Sequence, residues 1–74
     1  MGDSESMRKL ADQYSAEADN LERMVKSCEE RKRFANQGGD SKESARQERL
    51  IELHQQQRAD LLQLSAWLRH YYEA

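Results

Sequence analysis

The sequence has no proline, one cysteine, three glycines and one tryptophan among its 74 residues. With no proline, nothing of that kind breaks a long helix from within. The single cysteine, Cys28, cannot close an internal disulfide, so a reducing, cytoplasmic setting is expected. No apolar run approaches the roughly 20 residues that a spanning helix needs, and no membrane partner is expected. Residues 1–5 lack a cationic start followed by an apolar stretch, so no secretory leader is read there. The net charge of −2 gives little reason to bind nucleic acid or an anionic membrane by charge alone. A chain this short has little room for a pre-organised pocket, which argues against an enzyme.

Also missing are the residue patterns of common chemistries. Gly38-Gly39 has neither the further glycines nor the lysine-threonine pair of a phosphate loop. His54 and His70 are sixteen residues apart, about 24 Å along a helix, too far to share a metal. No pair of carboxylates sits in an apolar stretch that would raise a pKa for acid–base work. No catalytic residue, metal or cofactor is therefore expected. Cys28 reads as a small buried hydrophobe. His54 and Gln57 read as polar interruptions of an apolar seam, of the kind that sets register or oligomeric state.

What the chain does have is charge and helical periodicity: 35% of residues are charged and 36% hydrophobic. In the first half, Met7, Tyr14, Leu21, Cys28 and Ala35 form one column, and Ala11, Ala18, Val25 and Lys32 a second. The steps alternate four and three, which is a heptad seam broken only by Lys32. Glu5 with Lys9, Asp19 with Arg23, Glu22 with Lys26 and Glu29 with Arg33 are favourable i,i+4 pairs outside it. The spacing predicts a first helix over about 4–36. In the turn, 37–40, a glycine is placed to close that helix. Asp40 is placed to cap the next helix, with Glu43 completing a capping box. A second helix is predicted over about 41–72. Its columns are Leu50, Gln57, Leu64 and Tyr71, and Gln47, His54, Leu61 and Leu68.

Folding these helices back pairs Ala11 with Leu64, Tyr14 with Leu61, Ala18 with Gln57, Leu21 with His54 and Val25 with Leu50. All five pairs are centred between residues 37 and 38, inside the glycine turn. Hydrophobic phase and turn chemistry thus agree on an all-α fold: one domain, a long antiparallel helical hairpin.

A single narrow seam is thin compensation for the entropy of ordering the chain. Leu10, Met24, Leu53 and Trp67 lie off the seam, all on one flank and level in pairs. The same flank carries two acids at one height, Glu17 and Asp60, and two bases at another, Arg31 and Arg46. Like charges side by side disfavour a lone hairpin. A second copy packed head-to-tail sets acids against bases, so the expectation is a homodimer forming a four-helix bundle. Ile51, Leu62 and Tyr72 form a second exposed strip, and Phe34 either packs back on helix two or is offered to a partner.

Residues 26–49 hold seven bases against five acids, so the turn end is mildly basic. That leaves a nucleic-acid accessory role as an alternative to a non-enzymatic protein acting by protein–protein contact. Helix, Gly38-Gly39-Asp40 turn and helix together resemble the small co-chaperones of type III secretion needle subunits. The end Trp67-Leu68-Arg69-His70-Tyr71-Tyr72 looks like that of small helical proteins from bacterial phages and mobile elements. The first resemblance implies a chaperone or adaptor for a helical partner. Neither carries a functional residue over.

Overall fold

The computed structural model describes residues 2–72, and side chains from residue 4 to residue 72. Two helices, α1 (Gly2–Gln37) and α2 (Ser41–Tyr72), run antiparallel and pack along their length. They form a rod of 57 × 13 × 13 Å. Its radius of gyration, 16.6 Å, exceeds the roughly 11 Å of a compact chain this long. The first turn of α1 and the last turn of α2 lie at one end and the glycine turn at the other.

The turn is a Schellman closure. Asp40 N–H donates to the Ala35 carbonyl at 2.8 Å and Gly39 N–H to the Asn36 carbonyl at 3.2 Å. Gly39 has φ +74°, the left-handed conformation this closure requires. Asp40 then caps α2, its Oδ1 accepting from the Glu43 N–H at 3.1 Å. The expected capping box is only half formed. Asp40 N–H is already committed to Ala35, and the Glu43 carboxylate accepts from Gln47 Nε2 at 2.6 Å instead.

Both columns expected on α1 face α2. Ala11 and Ala18 are 0% exposed, Val25, Cys28 and Ala35 are buried, and Met7, Tyr14, Leu21 and Lys32 are half-buried. On α2 one expected column holds: Gln47 and Leu68 are buried, His54 and Leu61 half-buried. The other does not. Leu64, Gln57 and Tyr71 are exposed, and the inward positions are Ser44, Ile51, Arg58, Ser65 and Tyr72. The helix is turned by one residue from the expected face. Ile51, expected on an exposed strip, packs with Val25 and Cys28 in the core, and Leu50 lies at that cluster's edge. Ala11 meets Ser65 rather than Leu64, its carbonyl accepting from Ser65 Oγ at 2.9 Å.

The physical reason is size. The small residues Ala11 and Ser15 let Ser65 approach α1, where its hydroxyl donates to the Ala11 carbonyl and lies 2.9 Å from that of Ser15. Leucine at that height would hold the helices apart. Cys28 is buried as expected.

Candidate functional site

The two flanks of the hairpin differ in kind. On one, polar pairs cross from helix to helix along the rod. Arg69 Nη2 pairs with Asp12 at 2.6 Å, the Ser15 and Ser65 hydroxyls lie 2.9 Å apart, Arg58 reaches Glu22 at 3.9 Å, and Lys32 pairs with Glu48. Moving from Ser15–Ser65 to Glu22–Arg58 advances one heptad on α1 and retreats one on α2, so the ladder keeps register. Two of the expected i,i+4 pairs give way to other contacts: Glu22 turns across to Arg58, and Arg23 bonds Asn20.

The opposite flank is open and exposes apolar side chains among charged ones. Met24 is 47% exposed, Leu53 53% and Trp67 55%, with Leu64 and Tyr71 beside them. Leu10 is half-buried, so of the four off-seam residues it is the one the hairpin partly covers. Leu64 and Tyr71 were hidden from the sequence reading by their assignment to the seam. The signal for them was the small-residue match between Ser65 and Ala11, which turns α2 and carries Leu64 outward. Trp67 stacks on Tyr71 with centroids 5.3 Å apart and planes 22° apart, and Tyr71 meets Tyr72 at 5.0 Å.

The charged residues expected on this flank are there. Glu17 and Asp60 line one groove together with Leu21, Met24, Gln57 and Leu61, and no cation is among its walls. Asp60 accepts from Gln56 Nε2 at 3.1 Å. Arg31 and Arg46 are both exposed toward the turn, but Glu43 sits between them: it pairs with Arg46 at 3.6 Å and lines a hollow with Arg31. Their mutual repulsion within one copy is therefore less than the sequence implied. Arg31 makes no ion pair among the described residues.

That hollow is lined by Glu30, Arg31, Phe34, Ala35, Gly38, Asp40 and Glu43. Phe34 is 79% exposed and does not fold back on α2. Leu62 is exposed on the outer surface, and Tyr72 is half-buried. His54 Nδ1 lies 3.3 Å from Gln57 Oε1, so these two polar residues satisfy one another beside the seam. Among the described residues, no three His, Cys, Asp or Glu side chains gather as a metal ion would need. No helix among the described residues is long and apolar enough to cross a membrane. No protein-family model, curated protein or solved structure matches this chain.

Proposed function

We propose that the protein is a non-enzymatic helical hairpin that works by protein–protein contact, and that its first partner is a second copy of itself. The single observation that carries this reading is the asymmetry of the rod: one flank is closed by a polar ladder, while the other exposes Met24, Leu53, Leu64, Trp67 and Tyr71 in one strip. Contiguous apolar strips with polar rims are characteristic of interaction surfaces. The rod shape leaves much surface uncovered. At 8.7 kDa a compact monomer exposes about 4,700 Å². This chain exposes 5729 Å².

Two hairpins joined across their open flanks make a four-helix bundle. Charge selects the head-to-tail arrangement. A side-by-side pairing with both turns at one end sets Glu17 and Asp60 against their own copies. Head-to-tail pairing about a two-fold axis at Met24 and Leu53 sets them against Arg31 and Arg46. Each acid lies one heptad to one side of the axis, and each base one heptad to the other. The overlap is about 45 Å long, a footprint of about 600 Å² per copy, at the lower end of stable interfaces.

Light scattering on the eluting protein tests this directly. The expected mass is two chains at tens of micromolar. A monodisperse monomer at that concentration overturns self-association. A monomer that instead captures a helical partner in a defined ratio would make the protein an adaptor.

A further inference from the structure

We propose that the hollow beside the glycine turn is a docking seat for Trp67 of a second copy. This rests on the self-association reading and adds a site to it.

Spacing along the rod carries the argument. Met24 is fourteen residues from Leu10 and fourteen from Gly38, about 21 Å either way. Leu53 is likewise fourteen residues from Trp67 and fourteen from Gly39. A two-fold axis at Met24 and Leu53 therefore brings the Leu10–Trp67 level of one copy onto the Gly38–Gly39 level of the other. On α1 the steps from Leu10 to Met24 to Arg31 are whole heptads, so the Arg31 edge of the hollow lies along the same flank as Leu10 and Met24. The match was not needed to bring acids to bases; the same axis delivers both.

The seat suits the side chain. Its lining has little bulk at Ala35 and Gly38, which leave space beside the exposed Phe34 ring. An indole has a broad apolar body and one N–H donor, and the carboxylates of Asp40 and Glu43 in the lining can accept it. Tyr71, stacked on Trp67, limits the indole's freedom before docking, which lowers the entropy lost on binding. Tryptophan in a fitted pocket is a frequent anchor of protein interfaces. The rule applies twice, because the two-fold axis makes two such seats.

Trp67 is the only tryptophan, so its emission reports on the seat alone. A nitroxide label is placed at residue 37 (Gln37→Cys in a Cys28→Ala background). Within one chain the label and Trp67 are about 40 Å apart along the rod, beyond contact quenching. The dimer is expected to lose at least half of its Trp67 emission, and dilution to monomer is expected to restore it. A dimer of full mass with unquenched Trp67 overturns the seat and leaves self-association standing. A monomer at every concentration overturns both. Phe34→Ala provides an independent check that does not burden the fold, because that ring is largely outside the hairpin's packing. It is expected to weaken dimerisation about tenfold with helix content unchanged. An unchanged dissociation constant for Phe34→Ala also overturns the seat.

Discussion

Gly38 and Gly39 are neighbours with opposite tolerances. Gly39 holds φ +74°, where a side chain is strained even though a Cβ there meets nothing within 4 Å. A Cβ on Gly38 meets only the carbonyl oxygens of Phe34 and Ala35, at 3.6 and 3.8 Å, which is ordinary contact. Gly39→Ala is expected to cost about 1 kcal/mol. Gly38→Ala is expected to be neutral or to stabilise by up to about 0.5 kcal/mol, through the unfolded chain. Urea melts of the two variants at concentrations low enough to keep the chain monomeric check this, and equal effects would contradict the turn as described. That a glycine closes α1 was legible from Asn36-Gln37-Gly38-Gly39. Which of the two carries the positive φ was not, because either glycine can adopt it. Nor was the unpartnered Oε1 of Gln47, a residue only 2% exposed; the sequence places Gln47 inward without saying that its amide oxygen is left over.

The helices were legible to different degrees, and the reason lies in their patterns. On α1 most apolar residues share one stripe, and of the large ones only Leu10, Met24 and Phe34 lie outside it, so one face is clearly the one to bury. On α2 the last third is apolar almost all round, from Leu61 and Leu62 through Leu64, Trp67 and Leu68 to Tyr71 and Tyr72. Two adjacent stripes then compete for α1, and periodicity alone does not rank them. Packing ranks them: Ile51 closes on Val25 and Cys28, and Ser65 fits against Ala11. The consequence can be measured. In dilute protein, Ile51→Ala is expected to destabilise the hairpin by about 2–4 kcal/mol, as a core truncation does. Leu64→Ala is expected to cost less than about 1 kcal/mol. Comparable losses at the two positions, or the reverse order, would return α2 to the orientation its heptads first suggest. The cross-helix ladder contributes little by comparison, since its ion pairs are partly exposed and each is worth about 0.2–1 kcal/mol. Its effect is on direction: it fixes which flank is closed.

At the scale of the molecule, the fold class follows from the α1 seam and the glycine turn, and the identity of the open flank from Met24, Leu53 and Trp67, with Glu17 and Asp60 between. The turn-end hollow was not legible, because Phe34 could be placed on either side of the helix until the hairpin closed. The charge arrangement makes a sharp prediction for whole chains. Glu17→Lys with Asp60→Lys sets bases against Arg31 and Arg46, and the double variant is expected to be monomeric. Arg31→Glu with Arg46→Glu sets acids against acids, with the same result. Mixed in equal amounts, the two are expected to form a heterodimer, since every like-charge contact becomes an opposite one. Its affinity should fall as salt is raised. Sedimentation of each variant and of the mixture reads this out; homodimers of equal strength in all three samples would rule out the head-to-tail register.

The start of α1 and the finish of α2 share one end of the rod, and that arrangement would constrain how a dimer is used. In the proposed head-to-tail pair the Gly2 and Tyr72 ends of the two copies would lie at opposite poles, about 66 Å apart from one Gly2 to the other. A tether joined at the Gly2 or Tyr72 end would leave from a pole, so such a dimer would hold two tethered bodies at a fixed separation, as a strut does, instead of drawing them together.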